Sequence, residues 1–141
     1  MTDRVFVDSN IWVYLFTDNA GDRNFEKRGA ALEFISQHRA NSRFVISYQV
    51  VNEVCNVLKK KEYTEPELRR VADDMTGLCE VCGYSREIFF LASELRERHS
   101  FSYWDSQIVA SALVSDCGVL ASEDMRDGLV IGNMIISNVL S

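Results

Sequence analysis

Proline, glycine and long apolar runs are scarce in this chain, and their scarcity excludes several classes of protein. The 141 residues include one proline and seven glycines, too few for a collagen-like, linker-rich or low-complexity protein. No stretch approaches the roughly 18 consecutive apolar residues of a membrane span. Asp8, Ser9 and Asn10 interrupt the N-terminal apolar run, which is not typical of a signal peptide. We therefore expect a cytoplasmic protein without a membrane anchor.

Positive charge is also limited. Lysine and arginine together number 15 against 21 aspartates and glutamates, a formal net charge of −6. This balance argues against a protein that binds nucleic acid through bulk positive charge, and it leaves open an enzyme whose acids hold a metal. Four cysteines without an export signal are expected to be reduced thiols. The apolar fraction of 47% can fill one core, and we expect a single domain over residues 1–141.

Short strand-like segments alternate with longer helical ones, a pattern that favours an α/β fold with a parallel sheet. Strands are predicted at 4–7, 43–47, 78–81, 118–121, 129–131 and 134–136. Helices are predicted at 11–16, 25–39, 48–60, 85–99 and 104–115, with one more after the capping-box pattern of Thr64 and Glu67. Ser9 or Asn10 is expected to cap the first helix. Residues 17–24 are predicted to form a polar loop.

Four acids occur where a solubilising charge is not expected. Asp8 and Asp124 each follow a predicted strand, at the edge where open α/β sheets bind ligands. Glu53 lies at the margin of the apolar stripe of its helix, and Asp105 projects near the middle of the stripe of its own. Each acid also has a purely structural explanation, as a helix cap, a boundary residue, a first-turn acid or a turn former.

The joint placement of these four acids predicts a metal site. In a parallel sheet all four can meet at one edge, where an ionised pair about 4 Å apart costs about 4 kcal/mol at an effective dielectric constant of ~20. A divalent cation offsets this repulsion. Ligands that are all oxygens suit Mg²⁺ or Mn²⁺.

Four short motifs make the chain resemble the PIN domain family and, within it, the VapC-like toxin ribonucleases. In chain order they are Val7-Asp8-Ser9-Asn10-Ile11, Val51-Asn52-Glu53-Val54, Tyr103-Trp104-Asp105-Ser106 and Ser122-Glu123-Asp124-Met125. Each motif alone is weak, and the ordered set of four is specific. The resemblance spans nearly the whole chain.

The resemblance implies a three-layer α/β/α fold with a mainly parallel central sheet. It also implies a Mg²⁺- or Mn²⁺-dependent endoribonuclease, a homodimer, and inhibition by a small antitoxin protein, for which helices 11–16 and 48–60 are the expected contact surface. The family's acidic quartet falls on Asp8, Glu53, Asp105 and Asp124, and its supporting polar positions fall on Asn10 and Ser122. The last motif is acid-rich, so Glu123 and Asp127 are further candidates; we prefer Asp124 and give Asp127 a secondary role.

The mechanism expected for such a site is hydrolysis of RNA by a metal-activated water. The carboxylates hold one or two ions, the bound water attacks the phosphodiester in line, and the products carry 5′-phosphate and 3′-hydroxyl ends. No histidine is needed, and His38 and His99 are expected at the surface or at helix ends. Candidate RNA contacts are Trp104, by base stacking, and the basic residues Lys59, Lys60, Lys61 and Arg126. Core packing for Trp104 and a solvated helix end for the lysines are the alternatives.

Two other functions remain open at this point. A phosphohydrolase could use Asp8 as a covalent nucleophile, although such enzymes need a second Asp two residues on, where this chain has Asn10, and every lysine occurs by position 61. A non-catalytic PIN-like scaffold that binds RNA is the other alternative, and the intact set of four acids argues against it.

Overall fold

A computed structural model of the protein describes residues 3–17 and 24–141. Within them the strands are β1 (Asp3–Val7), β2 (Ser42–Ser47), β3 (Glu80–Cys82), β4 (Val119–Ala121), β5 (Val130–Ile131) and β6 (Met134–Ser137). The helices are α1 (Ser9–Phe16), α2 (Asn24–His38), α3 (Tyr48–Lys60), α4 (Glu65–Leu78), α5 (Arg86–Arg98) and α6 (Tyr103–Val114). Helix α1 packs against α2 and α3, and α5 packs against α6.

One six-stranded sheet, in the order β3-β2-β1-β4-β6-β5, lies at the centre of the fold. Every neighbouring pair is parallel except β5 and β6, which are antiparallel. The predicted α/β class with a mainly parallel sheet is therefore confirmed. Strand β1 lies between β2 and β4, and its residues Val5, Phe6 and Val7 are all buried. A strand covered on both faces has this continuous apolar character instead of an alternating one.

The parallel arrangement brings several strand ends to the same edge of the sheet. Val7 at the end of β1 is paired with Ala121 at the end of β4. The residue after β1 continues this contact, since the amide of Asp8 donates a hydrogen bond of 2.9 Å to the carbonyl of Ala121. The residues that follow these strands, Asp8 and Ser122, are therefore neighbours at the carboxyl edge.

Two predictions about element boundaries are wrong. The cap of α1 is Asp8, as the structural explanation of this acid had it, instead of Ser9 or Asn10, because a side-chain oxygen of Asp8 accepts a hydrogen bond of 2.7 Å from the amide of Ser9. The strand predicted at 78–81 is displaced: α4 continues to Leu78, where Cys79 ends the helix by donating its amide to the carbonyl of Met75 at 3.0 Å. The capping box at the start of α4 is confirmed.

The segment predicted as strand 129–131 is reduced to two residues by the turns around it. Gly128 and Gly132 adopt φ values of +86° and +58°, a region that glycine enters without steric cost. Gly132 lies in the tight turn between β5 and β6, where Ile131 is paired with Met134. This positive φ suits a two-residue hairpin turn.

Helix α6 differs from its prediction in how it is buried. Its residues from Ser106 to Ala112 are all buried, so α6 has no single apolar stripe, and the argument that placed Asp105 in the middle of a stripe does not apply. Of the loop predicted at 17–24, Thr17 caps the end of α1 and Asn24 begins α2, while residues 18–23 lie outside the described residues. His38 ends α2 and His99 caps the end of α5, as expected.

No helix within residues 3–17 and 24–141 is both long enough and apolar enough to cross a lipid bilayer.

Candidate active site

Asp8 is the most buried acid of the site, with 4% of its surface exposed. One carboxylate oxygen accepts the amide of Ser9 at 2.7 Å, and the other accepts the hydroxyl of Ser122 at 2.8 Å. Burial raises the pKa of Asp8 above its ordinary value, the bonds from Ser122 and Ser9 oppose this rise, and the charges of Asp105 and Asp124 add to it. Both oxygens of this side chain are therefore held in a fixed position inside the fold.

The start of α1 and the turn after β4 are joined through Asn10. Its side-chain amide donates to the Asp124 carboxylate at 3.0 Å, and its side-chain carbonyl accepts the amide of Glu123 at 3.1 Å. The hydroxyl of Ser122 accepts the amide of Asp124 at 3.3 Å. Asn10 and Ser122, expected as supporting residues, thus lie in direct contact with Asp124, and Ser122 also contacts Asp8.

Glu53 and Asp105 reach the same region from α3 and α6, and both are half-buried. Burial is the main cause that raises the pKa of Glu53, followed by the charge of Asp8; polar contacts with Gln49 and Ser9 act in the opposite direction. Burial likewise raises the pKa of Asp105, together with the charge of Asp124. Asp105 lies in the first turn of α6, where the helix dipole favours an acid.

These mutual effects place the four acids in one electrostatic cluster. The charge of Asp8 acts on Glu53, and the charges of Asp105 and Asp124 act on Asp8. Even so, the described residues contain no group of three or more His, Cys, Asp or Glu side chains close enough to hold a metal ion. The structure therefore brings the four acids into one region without forming a closed coordination shell.

The chemistry of the cluster nevertheless fits a hard divalent cation. The pKa values of Asp8, Glu53 and Asp105 are lowered only by neutral groups of the described residues: serine hydroxyls, the Gln49 amide and a backbone N–H. No lysine or arginine among the described residues acts on these three acids in this way. Buried carboxylates without a cationic partner are costly when ionised. Oxygen donors of this kind are the ligands that Mg²⁺ and Mn²⁺ prefer.

The other acids of the last motif face different partners. Glu123 accepts the hydroxyl of Tyr14 at 2.7 Å and forms an ion pair of 2.6 Å with Lys27. Asp127 accepts the backbone amide of Asn138 at 2.8 Å. Of the three candidates, Asp124 is therefore the acid that meets Asn10 and interacts with Asp8 and Asp105.

Two of the candidate RNA contacts, Arg126 and Trp104, lie close to the acids or to residues beside them. Arg126, together with Arg98, lines a cavity of about 280 Å³ whose other lining residues include Asp105 and Asp124. Trp104 is 61% exposed, so core packing does not explain it.

The lysines lie at the C-terminal end of α3. Lys59 forms an ion pair with Glu65 on the next helix, and Lys60 and Lys61 are exposed. At about 1.5 Å per residue, Lys60 is about 10 Å along the helix axis from Glu53. The cluster of lysines is therefore remote from the acids compared with Arg126.

Sequence reasoning missed several residues that shape the site. Gln49 donates a hydrogen bond of 3.1 Å to the carbonyl of Trp104, and its position four residues before Glu53 on α3 was the available signal. The contacts of Tyr14 and Lys27 with Glu123 carried no such signal, because these residues are about a hundred positions apart in the chain.

A doubly covered, mainly parallel sheet with acids at its carboxyl edge defines a class of α/β proteins with a candidate metal-dependent site. The sequence profile of the PIN domain matches residues 5–126. The chain belongs to the PIN domain family. Among curated proteins, none matches the sequence.

Three solved structures with the same fold are toxins or toxin–antitoxin complexes. VapC20 from Mycobacterium tuberculosis, described as a sarcin-ricin loop cleaving toxin, is 19% identical with a TM-score of 0.67, over 85% of this chain and 89% of that one. A toxin–antitoxin complex from Klebsiella pneumoniae is 18% identical with a TM-score of 0.71, over 93% and 95%. VapBC2 from Rickettsia felis, bound to a promoter DNA fragment, is 17% identical with a TM-score of 0.67, over 95% and 97%. At these identities the likeness establishes a shared fold.

Proposed function

We propose that this protein is a Mg²⁺- or Mn²⁺-dependent endoribonuclease and the toxin of a toxin–antitoxin pair. The observation that carries the proposal is the cluster of Asp8, Glu53, Asp105 and Asp124 at the carboxyl edge of the sheet, where burial raises the pKa of the first three. Membership of the PIN domain family and the fold shared with a toxin described as cleaving the sarcin-ricin loop support it.

The four carboxylates are the groups that would hold the ion. A divalent ion bound there supplies a water of lowered pKa and neutralises charge that develops on the phosphate oxygens. The hydrogen bonds from Ser9 and Ser122 keep Asp8 oriented, and Asn10 keeps Asp124 beside it. Preorganised carboxylates avoid the cost of reorienting during the reaction.

The remaining catalytic task is to align the attacking water with the phosphodiester. A carboxylate oxygen of the cluster accepts a hydrogen bond from this water and so directs its lone pair at phosphorus. In-line attack leaves a 5′-phosphate and a 3′-hydroxyl. The scheme uses no histidine: His38 lies at the end of α2, and His99, which caps the end of α5, lines the cavity of Asp105 and Asp124 but is not needed as an acid or base.

The substrate's phosphates are expected to lie against Arg98 and Arg126. These two residues line the same cavity as Asp105 and Asp124, so a phosphate held by a guanidinium there is next to the acids. Arginine binds phosphate through two parallel hydrogen bonds. This local positive charge offsets the overall negative charge of the protein near the site.

The protein partners are a small antitoxin and a second copy of the chain. In support of the antitoxin, two of the structures that share this fold are toxin–antitoxin assemblies. Helices α1 and α3, the expected contact surface, contribute Val13, Tyr14 and Val57 to a cavity of about 330 Å³ beside Asp124. Light scattering on the purified protein tests the homodimer, and co-purification with the product of the neighbouring gene tests the antitoxin.

The decisive experiment measures RNA cleavage by Asp8→Asn and Asp105→Asn variants. Each replacement preserves side-chain volume and removes a charge, so we expect cleavage to be abolished while circular dichroism shows an unchanged fold. Asp73→Asn, on the exposed face of α4, is the matched control and should cleave as the wild type does. Wild-type cleavage that persists in excess chelator would contradict the proposal, and a trapped aspartyl-phosphate at Asp8 would replace it with covalent phosphohydrolase chemistry.

A further inference from the structure

An open recess lies beside the acids, between α3 and the first turn of α6. It has a volume of about 510 Å³ and is lined by Gln49, Asn52, Glu53, Asn56 and Trp104. The four residues from α3 follow a spacing of three and four, so they share one face of that helix. A volume of this size is within the range of small-molecule sites.

The indole of Trp104 is exposed and is also held in place. Its ring packs edge-to-face against Tyr103, with centroids 5.2 Å apart and an interplanar angle of 78°. The guanidinium of Arg96 lies 4.3 Å from the centroid of the Tyr103 ring and donates a hydrogen bond of 2.7 Å to the hydroxyl of Ser106. Gln49 ties the backbone of Trp104 to α3. The recess therefore has one wall that is a preordered aromatic surface.

The other lining residues have polar side chains, and none of them is positively charged. The side-chain amides of Asn52 and Asn56 both donate and accept hydrogen bonds. Among the lining residues in the described part of the chain there is no lysine or arginine, and Glu53 contributes an acid. A phosphate is disfavoured in such surroundings, whereas a flat, neutral group with hydrogen-bonding edges is complementary to them.

We propose that this recess binds the base of one unpaired nucleotide that flanks the cleaved bond, with Trp104 stacking on the base and Asn52 and Asn56 contacting its edge. The inference rests on the proposed function for the identity of the strand as RNA. Aromatic stacking accepts any base, and contacts to base edges select among them. Trp104 thus supplies affinity, and the two asparagines supply preference.

The position of the recess relative to the acids fits this assignment. Glu53 belongs both to the recess and to the acidic cluster. Asp105 follows Trp104 directly, and it also lines the cavity that contains Arg98 and Arg126. An RNA strand whose phosphates lie against these arginines passes over the acids, and its next base reaches the recess.

The test uses the two tryptophans of the chain as separate reporters. Trp104 is 61% exposed and Trp12 is 1% exposed, so acrylamide quenches the first and spares the second. Short single-stranded RNA homopolymers of A, C or U are titrated in excess chelator, and again with Mg²⁺ in the Asp8→Asn background. We expect bound RNA to shift Trp104 emission and to protect it from acrylamide. The absence of both changes under both conditions would overturn the inference.

Variants then separate stacking from edge recognition, with affinity measured by the anisotropy of dye-labelled homopolymers. Trp104→Ala is expected to weaken the Kd for every base by about 5- to 150-fold, and Trp104→Phe to recover part of that loss. Asn52→Ala and Asn56→Ala are expected to change the ratio of Kd values among the bases. Phe90→Ala is the control, because Phe90 is a 51% exposed aromatic residue on α5 outside the recess, and it should bind as the wild type does.

The outcomes distinguish this inference from the proposed function. If the wild-type protein cleaves RNA while Trp104→Ala binds every homopolymer as tightly as the wild type does, the nucleobase site is wrong and the nuclease stands. If the wild-type protein cleaves no RNA with either Mg²⁺ or Mn²⁺ while homopolymers still protect Trp104, the nuclease is wrong and the base-binding recess stands. If Trp104→Ala and Phe90→Ala weaken binding equally, the effect is a general one and the recess is wrong.

Discussion

The hydroxyl of Ser122 donates a hydrogen bond of 2.8 Å to the carboxylate of Asp8, which lies 114 residues earlier in the chain. Both residues are buried, and each follows the end of a parallel strand. This bond gives one Asp8 oxygen its donor, while the other oxygen accepts from Ser9, and it connects the residue after β1 with the residue after β4.

Removal of this hydroxyl should destabilise the protein. In Ser122→Ala one oxygen of the buried Asp8 carboxylate loses its donor, and leaving such a group unsatisfied costs about 1–3 kcal/mol in the free energy of unfolding. Urea titration measures the loss. Ser36→Ala, at an exposed position of α2, is the control. A loss no larger than that of the control would show that the bond to Asp8 contributes nothing to stability.

Manganese binding should stabilise the folded protein through the acids. A ligand that binds only the native state adds about 2.7 kcal/mol at a concentration of 100 times its Kd, because unfolding then requires its release. We expect Mn²⁺ to raise the melting temperature of the wild type and to have little effect on Asp8→Asn or Asp105→Asn. Calorimetry that detects no Mn²⁺ binding to the wild type would favour the non-catalytic scaffold.

Arg126 and the lysine cluster should differ in their effect on RNA binding. Arg126 lines a cavity next to Asp105 and Asp124, whereas Lys60 and Lys61 are exposed at the end of α3. Arg126→Ala should weaken RNA binding and reduce the slope of log K against log salt concentration by about 1. The double replacement of Lys60 and Lys61 by Ala should change binding less. A larger effect of the lysine replacements would indicate that the RNA strand passes along the C-terminal end of α3 instead.

The pair of Arg4 and Glu80 should contribute a pH-dependent part of the stability. A hydrogen bond from Arg4 lowers the pKa of Glu80 below its ordinary value. A carboxyl with a lowered pKa in the folded state stabilises above the pKa of the unfolded chain and loses this contribution as the pH falls through the folded pKa. The wild type should therefore be more stable than Glu80→Gln at neutral pH, and the difference should vanish in acid.

The control for this comparison is Glu94→Gln on the exposed side of α5, which should track the wild type at every pH. Unfolding by urea at a series of pH values measures both variants. A difference between wild type and Glu80→Gln that stays constant with pH would contradict the role assigned to this ion pair.

The features that the sequence predicts well are those with a local signal. The strand before Asp8 and helix α3 follow from a short apolar run and from helical spacing, and both occur as predicted. The strand predicted at 78–81 begins two residues later, at Glu80, because Leu78 and Cys79 suit a helix end and a strand equally well. Whether Leu78 belongs to helix α4 or to strand β3 is decided by tertiary packing, which sets the last helical backbone hydrogen bond.

The features that escaped prediction are contacts between distant segments. The sequence predicted that Asp8 and Asp124 approach each other, because both follow parallel strands whose ends meet at one edge. It carried no sign that Tyr14 and Lys27 hold Glu123, or that Asp127 meets the backbone of Asn138. Such pairs depend on the three-dimensional path of the chain, and no spacing rule relates residues so far apart. The shared coordination of one ion by the four acids stays a prediction.

Asp8 serves as the N-cap of α1 with the same carboxylate that belongs to the acidic cluster. A substitution of Asp8 therefore affects both the capping of α1 and the acidic cluster proposed to hold the metal. Asparagine and serine still cap a helix, whereas alanine and larger apolar residues do not. A relative that has given up catalysis but retained its shape should therefore carry one of these small polar residues at the equivalent position, so that inactive members of the lineage would be recognisable by a conservative change there.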